Sequence, residues 1–175
     1  MNVVRIVFTL CLAMVAVEPQ ASWGHGTGDW HGLSSRQKGM RIVSAALARN
    51  GRTGGQCKEW VRTVISAVTA RHVEVPPNSA VVTATWIEER SGHIRSLGAS
   101  IASSRPGDIV QMIIRDRDGN SIGHTAIVGS NDGSQLLWLE SNYGNDEKVT
   151  TGRSQSISSF ERSVVRGQYT VYRIS

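Results

Sequence analysis

The side chain with the clearest chemical capacity in this sequence is the thiol of Cys57. Residues 54–60 read Gly-Gly-Gln-Cys-Lys-Glu-Trp, and this order places the cysteine at the start of a predicted helix. Unpaired backbone N–H groups and the helix dipole at such a position stabilise a thiolate, the nucleophilic form of cysteine. The same position also suits a buried, inert cysteine that begins the apolar stripe of the helix. Position alone favours neither interpretation.

His124 is a candidate base for this thiol, and it stands in the small apolar stretch Gly123–Val128. The turn after this predicted strand decides which residue faces the histidine. A three-residue loop ending at Gly133 places His124 opposite Glu140, whereas a two-residue turn ending at Gly133 places it opposite Ser141. Only the first register supplies a carboxylate for the imidazole.

In that register the residues form a nucleophile, a base and an orienting group. Glu140 accepts a hydrogen bond from one imidazole nitrogen of His124, and the other nitrogen takes the thiol proton of Cys57. Asn142 lies on the same face, and it either holds the imidazole instead or positions the substrate carbonyl. The backbone N–H of Cys57 and the side chain of Gln56 are candidate oxyanion donors. The competing interpretation is an ordinary cross-strand His–Glu pair on a solvated face, worth about 0.2–1 kcal/mol.

Two helices are predicted in the first half of the chain. The first spans 35–49 and the second begins at Cys57 and ends before the prolines at 76–77; the segment 78–90 favours a helix only weakly. The apolar residues at helical spacing are Met40, Val43, Ala46 and Leu47 in the first helix, and Cys57, Trp60, Val61, Val64, Ile65 and Val68 in the second.

Strands are predicted in the second half of the chain. They span 108–115, 122–130, 135–141 and 168–174. Helices followed by an antiparallel meander predict an α+β fold in which the N-terminal helices pack on an antiparallel β-sheet.

Four motifs in this order resemble the CHAP amidase/peptidase family, which is related to the NlpC/P60 enzymes of the papain-like superfamily. They are Gly-Gln-Cys at 55–57, Pro-Gly-Asp-Ile at 106–109, Gly-His-Thr-Ala-Ile-Val at 123–128 and Leu-Glu-Ser-Asn-Tyr at 139–143. The resemblance implies a papain-like fold in which Cys57 attacks an amide carbonyl, His124 is the base and Glu140 the third member. It also implies peptidoglycan amide bonds as substrates, either at the sugar–peptide link or within the peptide.

The chain departs from the family pattern beside two of these residues. The third-member strand of the family more often reads Glu-Met-Asn-Trp, whereas Ser141 and Tyr143 stand at the second and fourth places here. Lys58-Glu59 replaces a more aromatic or small pair after the cysteine. The choice of substrate is therefore left open.

The N-terminus has the pattern of a secretory signal peptide over residues 1–22. A basic start at Arg5 precedes the apolar run 6–17, and a polar segment follows. The run is shorter than the roughly 20 residues that span a bilayer, so we expect no stable membrane anchor and a secreted or periplasmic location. A single catalytic domain is expected over 23–175, with an irregular arm at 23–35. Because Cys11 leaves with the signal, Cys57 becomes the only thiol.

Composition restricts the possible partners. The chain has 175 residues and a net charge of +5, and its basic excess lies in the first half. Peptidoglycan or another anionic polymer is the expected partner, and nucleic acid is disfavoured because the basic residues are scattered.

No cofactor and no metal are expected: residues 116–120 predict a hairpin turn rather than a calcium loop, and His25, Asp29 and His31 lie on a glycine-rich arm. The oligomeric state is left open.

Two other functions fit the same residues. One is a non-enzymatic secreted module with a papain-like fold, an adhesin or inhibitor, in which Cys57 is buried and the positive charge binds a polymer. The other is a papain-like protease or transamidase that acts on proteins. The reactivity of the thiol separates the first from the enzymes, because an exposed thiolate alkylates quickly near neutral pH and a buried thiol does not.

Overall fold

A computed structural model of the chain describes residues 30–71, 73, 75, 93–116 and 118–175. The predicted signal peptide, residues 23–29 of the arm and the segment 78–90 lie outside these residues. The elements are α1 (Ser35–Leu47), α2 (Cys57–Val68), β1 (Ile94–Ser96), β2 (Ile109–Arg115), β3 (Ser121–Asn131), β4 (Gln135–Ser141), β5 (Val149–Ser156), α3 (Ile157–Ser163) and β6 (Val164–Ile174), with 3-10 turns at Trp30–Gly32 and Ile101–Ser103. No helix within the described residues is long and apolar enough to cross a membrane.

The strands form one antiparallel sheet in the order β1-β6-β2-β3-β4-β5. Strands β2 to β5 follow one another as a meander, and β6 returns to pair with β2. Helices α1 and α2 pack with Ile109, Ile127 and Leu139 in one apolar cluster, whereas Trp138 and Phe160 belong to a second cluster. The predicted α+β class is confirmed, and the arrangement is consistent with a papain-like fold.

Helix α1 forms where the sequence predicts it, but its buried side differs from the prediction. Ser34 and Gln37 form a capping box, in which the serine hydroxyl accepts from the Gln37 N–H and the glutamine side chain accepts from the Ser34 N–H. The buried side chains are Ile42, Val43 and Ala46, whereas Met40 is 44% exposed and Leu47 is 47% exposed. Of the four apolar residues at helical spacing, Val43 and Ala46 are therefore buried and Met40 and Leu47 are not, since the buried side of the helix is centred nearer Ile42.

Helix α2 buries the stripe predicted for it. Trp60, Val61, Val64 and Ile65 are at most 2% exposed, and Cys57 at its N-terminus is 9% exposed. Burying each valine or isoleucine side chain contributes about 1.5–3 kcal/mol, so this stripe anchors the helix against the sheet. The helix carrying the thiol is therefore held along its whole apolar face.

The other elements agree with the sequence predictions only in part. The four predicted strands are present as β2, β3, β4 and β6, and β2 and β3 pair antiparallel up to Arg115 and Ser121, as in the predicted hairpin. Strands β1 and β5 and helix α3 were not predicted. At the end of the predicted irregular arm, Trp30–Gly32 forms a 3-10 turn, and Trp30 packs in the core at 4% exposure.

The hairpin between β3 and β4 has a register that neither predicted turn gives. Asn131 pairs with Leu136, so the turn consists of Gly133 and Ser134, with Gly133 at a φ of +91° as in a type II′ turn. A bulge at Gly129 then shifts the pairing to Val128 with Trp138. Both predicted registers are wrong because the turn lies further along the chain and the bulge adds a residue to β3.

The Pro106–Ile109 motif connects α1 to the sheet. A Cβ added at Gly39 would overlap the Pro106 carbonyl oxygen, so the helix and this turn touch backbone to backbone. Asp108 is 2% exposed. It accepts two hydrogen bonds from Arg173 at 2.9 and 2.7 Å, which ties the start of β2 to the end of β6. This motif therefore connects α1, the start of β2 and the end of β6.

Candidate active site

The loop before α2 is hydrogen-bonded to the start of β5 and to the residues just before that strand. Gly51 N–H donates to the Val149 carbonyl at 3.0 Å, and Gly54 N–H donates to the Glu147 carbonyl at 2.7 Å. An added Cβ at Gly54 would meet side-chain atoms of Val149 at 2.6 Å and of Trp60 at 2.9 Å, so only glycine fits this position. These contacts determine where the first residue of α2, Cys57, is placed.

Cys57 lies where β3 separates from β4. The pairing of these strands ends at Ile127 and Leu139, and residues 121–126 of β3 pair with β2. On the β4 side, the Ser141 hydroxyl donates to the Gly55 carbonyl at 2.7 Å. Burial would raise the pKa of the Cys57 thiol, but on the β3 side a hydrogen bond from the Thr125 backbone lowers it. The N-terminus of α2 is therefore held between the two strands, and the serine that departs from the family pattern fixes the loop.

His124 and Glu140 meet in this opening. Nε2 of His124 lies 2.9 Å from Oε2 of Glu140, and the two side chains are 4% and 0% exposed. Extending the β3–β4 register places Ala126 opposite Glu140, so His124 reaches the carboxylate diagonally. The predicted pairing is off by two residues, which keeps both side chains on the same face of the sheet. The predicted contact is therefore present although the predicted register is not.

The thiol of Cys57 is the second partner of the imidazole. Against the effect of burial, a hydrogen bond and the opposite charges of the two side chains lower the pKa of Cys57 and raise the pKa of His124. Since Nε2 of His124 is taken by Glu140, Nδ1 is the nitrogen left for the sulfur. The three residues thus form a continuous chain from carboxylate to imidazole to thiol, with 9% of Cys57 open to solvent.

The electrostatics of this chain favour a thiolate and an imidazolium. Burial alone would raise the pKa of Cys57, but the hydrogen bond and charge of His124, together with the N–H groups of Thr125 and Lys58, lower it below its ordinary value of 9.0. Burial alone would lower the pKa of His124, but the bonds to Cys57 and Glu140 raise it to about 9. A proton that leaves the sulfur is therefore held on the ring near neutral pH.

Glu140 has a second cationic partner, Arg153 of β5, which sequence reasoning missed. The Arg153 guanidinium donates to Oε1 of Glu140 through Nε and to Oε2 through Nη2, the latter at 3.1 Å. Burial alone would raise the pKa of Glu140, but the bonds from His124 and Arg153 lower it. Strand β5 reads Val-Thr-Thr-Gly-Arg-Ser-Gln-Ser, which carries no apolar alternation from which a strand could be predicted.

Tyr143 covers the outer side of these groups. Its ring is 5.7 Å from the His124 ring in an edge-on arrangement, and the Arg153 guanidinium carbon lies 3.9 Å from its centroid. The residue is 47% exposed. It therefore stands at the solvent boundary of the site.

Asn142 serves Gln56 rather than the imidazole. Asn142 adopts a φ of +60°, and its Oδ1 accepts from the Glu147 N–H at 3.0 Å. Its Nδ2 donates to Oε1 of Gln56 at 3.2 Å. This bond occupies the carbonyl end of the Gln56 amide and leaves its NH₂ group as the end able to donate. Of the two residues considered for orienting His124, the structure places Glu140 against the ring.

No group of three or more His, Cys, Asp or Glu side chains that could hold a metal ion occurs within the described residues. The Asp116 carboxylate accepts hydrogen bonds from the N–H groups of Asp118 and Asn120 at 2.9 and 2.8 Å. These bonds are those of a tight turn.

Comparisons with known proteins bear on the fold. No protein-family model matches the chain, and no curated protein matches it. Among solved structures it is similar to Ly7917 crystallised with the hydrolyzing product of MDP, with a TM-score of 0.56, 20% identity and coverage of 78% of this chain and 63% of that chain. A second structure of Ly7917 gives a TM-score of 0.53, 20% identity and coverage of 76% and 61%. The chain thus spans less than two thirds of Ly7917, with which it shares a fold.

Proposed function

We propose that this protein is a secreted cysteine hydrolase that cleaves amide bonds of peptidoglycan, either as an N-acetylmuramoyl-L-alanine amidase or as an endopeptidase. The observation that carries the proposal is the buried chain Glu140–His124–Cys57, which ends in a thiol at a helix N-terminus. A cysteine with only a structural role does not require an imidazole beside its thiol or a buried carboxylate bonded to that imidazole.

In the first half-reaction the Cys57 thiolate adds to the carbonyl carbon of the amide. The oxyanion that forms accepts hydrogen bonds from the Cys57 backbone N–H and from the NH₂ group of Gln56, which Asn142 orients at 3.2 Å. His124 then gives its proton to the leaving amine as the C–N bond breaks. The products are a free amine and a thioester on Cys57.

In the second half-reaction water cleaves the thioester. After donating its proton His124 is neutral, so it accepts a proton from the attacking water while Glu140 stabilises the imidazolium that forms. Collapse of the tetrahedral intermediate breaks the C–S bond and restores the thiolate–imidazolium pair. The product leaves as the carboxylic acid, which loses its proton to solvent. One water is consumed for each amide bond, and no cofactor takes part.

Three observations support peptidoglycan as the substrate. Ly7917, which shares the fold, was crystallised with the hydrolyzing product of MDP, a peptidoglycan fragment. The four motifs named above resemble a family whose usual substrates are peptidoglycan amides. The net charge of +5 favours contact with an anionic wall polymer. The signal-peptide pattern of residues 1–22 would deliver the enzyme to that polymer.

The test is digestion of purified peptidoglycan with residues 23–175, with product mass spectrometry and labelling of new amino groups. An amidase frees the amine of L-alanine and the lactyl carboxylate of muramic acid, whereas an endopeptidase frees an amine inside the peptide. Cys57→Ala is expected to abolish turnover and to remain folded by circular dichroism. Retention of most activity by this variant would remove the proposal.

Alkylation of Cys57 with iodoacetamide separates the competing functions. Fast labelling near pH 7 that is lost in His124→Ala supports the thiolate–imidazole pair. Slow labelling that does not depend on His124 would instead favour the non-enzymatic binding module. Fast labelling without any peptidoglycan cleavage would point to the protease or transamidase.

A further inference from the structure

We propose that Arg153 is a positioning residue of this active site, which acts on the thiol through Glu140. The inference rests on the proposed function, because it assigns Arg153 a part in preparing the same nucleophile. It adds a fourth residue to the series Glu140, His124 and Cys57. This residue comes from β5, whose sequence has no apolar alternation.

The Glu140 carboxylate is held between two cations. Its Oε1 accepts from Nε of Arg153, while its Oε2 accepts from Nη2 of Arg153 at 3.1 Å and from Nε2 of His124 at 2.9 Å. The side chain is 0% exposed, so no solvent competes for these oxygens. This bidentate contact between Arg153 and Glu140 fixes the rotation of the carboxylate group. It thereby fixes the direction from which Oε2 meets the imidazole.

A bulge in β5 is what brings Arg153 to this face of the sheet. Glu140 pairs with Thr150 and Leu139 with Thr151, but Trp138 pairs with Arg153, which leaves Gly152 as the extra residue at a φ of +128°. In an unbroken ladder Gly152 would stand opposite Trp138, and Arg153 would point to the other face. The local backbone is thus arranged to aim the guanidinium at the carboxylate.

The guanidinium is held on its remaining sides as well. Nη1 of Arg153 donates to Oε1 of Gln155 at 3.0 Å, and the same oxygen accepts from the Trp138 indole at 3.1 Å. The Tyr143 ring packs on the guanidinium at 3.9 Å. These contacts use the planar fork of arginine, which lysine lacks.

Loss of Arg153 would leave a buried carboxylate with only His124 to stabilise its charge. Burial favours the protonated form, and an opposite charge at this distance normally counters that preference. Without the arginine Glu140 would take up a proton at a higher pH than in the native protein. Protonated Glu140 cannot stabilise the imidazolium, so the thiolate would be lost over the same range of pH.

The experiment measures Cys57 alkylation between pH 5 and pH 8 in Arg153→Gln, Arg153→Lys and the native sequence. Arg173→Gln is the matched control. Arg173 forms a bidentate pair with Asp108 in which the side chains are 22% and 3% exposed, against 21% and 0% for Arg153 and Glu140. The control therefore breaks an equally buried ion pair that has no contact with the thiol or the imidazole.

Arg153→Gln is expected to label about tenfold more slowly at pH 5.5 and to approach the native rate at pH 8. Arg153→Lys, which keeps the charge and loses the fork, should fall between the two. Arg173→Gln should label at the native rate throughout. Glu140→Gln combined with Arg153→Gln should label no more slowly than Glu140→Gln alone, because the arginine acts through the carboxylate.

The proposal is overturned if Arg153→Gln labels at the native rate at pH 5.5, or is slowed equally at every pH, or is matched by Arg173→Gln. If Arg153→Gln does not fold, Arg153→Lys decides, and native labelling by that variant at pH 5.5 overturns it. Labelling needs no peptidoglycan. A protein that shows the expected pH effect but cleaves no wall polymer would therefore refute the proposed function and not this role of Arg153.

Discussion

Replacing Glu140 by glutamine removes one charge from the centre of the site with almost no change of shape. Both carboxylate oxygens face hydrogen-bond donors, which come from His124 and Arg153. A glutamine amide offers only one acceptor atom, so its NH₂ group must be directed at one of these donors. The substitution therefore breaks a buried bond as well as an ion pair.

The magnitude follows from the burial of the pair. Removing one partner of a buried ion pair typically costs about 3–5 kcal/mol. Arg153 is 21% exposed and keeps its bond to Gln155, so we expect the lower end, about 3 kcal/mol. Since folded domains have a stability of roughly 5–15 kcal/mol, the variant should fold. At roughly 2–4 °C per kcal/mol, its Tm should fall by roughly 6–12 °C.

The loss should depend on pH with a definite sign. Burial would raise the pKa of Glu140, but the bonds from His124 and Arg153 lower it from 4.5, so this stabilisation is present above pH 4.5 and lost as the pH falls through the folded pKa. The pKa of His124 is raised against burial from 6.5 to about 9, so its stabilisation is present below pH 6.5 and lost as the pH rises through about 9. The difference between the two proteins should be largest between these limits.

The assay is urea unfolding followed by tryptophan fluorescence, at pH 4, 6, 8 and 10. The control is Asp108→Asn, which breaks the pair with Arg173 at a comparable burial. Both variants should lose stability at pH 6, but only Glu140→Gln should also slow Cys57 alkylation. A stability difference that stays constant from pH 4 to pH 10, or alkylation at the native rate, would refute the reasoning.

Two further substitutions test the positioning of the site and of the fold. Asn142→Ala frees the side chain of Gln56, so it should lower kcat by about tenfold while alkylation of the thiol stays at the native rate; slower alkylation would show that Asn142 acts on the thiol instead. Gly39→Ala places a methyl group on the backbone of Pro106, so it should cost about 1–3 kcal/mol in urea unfolding at any pH; an unchanged midpoint would contradict the close contact.

Sequence patterns were sufficient for two elements with a clear apolar pattern. The stripe of α2 predicted both the helix and the position of Cys57, because five of its six members are buried and the sixth is partly buried. Strand β4 was predicted with its observed bounds, 135–141. In α2 the period of the apolar residues matches the geometry of a helix, whereas β4 is recognised as a short continuous apolar run between turn residues.

The register of the β3–β4 hairpin could not be read in the same way. Any of residues 131–134 suits a turn, and the bulge at Gly129 leaves no distinctive pattern in the sequence. The contact between His124 and Glu140 was still anticipated, because an error of two residues keeps the face of a strand and an error of one reverses it. Arg153 was missed because it depends on a second bulge in a strand made of polar residues.

Positive and negative charges alternate from Arg153 to Glu140 to His124 to Cys57, and in the proposed mechanism this order lets one imidazole serve as both acid and base. The thiolate is one of the two groups that keep the proton on His124. In the proposed reaction, the negative charge of the sulfur passes to the oxyanion when the sulfur bonds to the carbonyl carbon, and the imidazolium then becomes a stronger acid as the amine departs. In the same proposal, Glu140, still held by Arg153, keeps the neutral ring in place for the attack of water. A site with the imidazole and the thiol alone would lose both the strength and the direction of that second proton transfer.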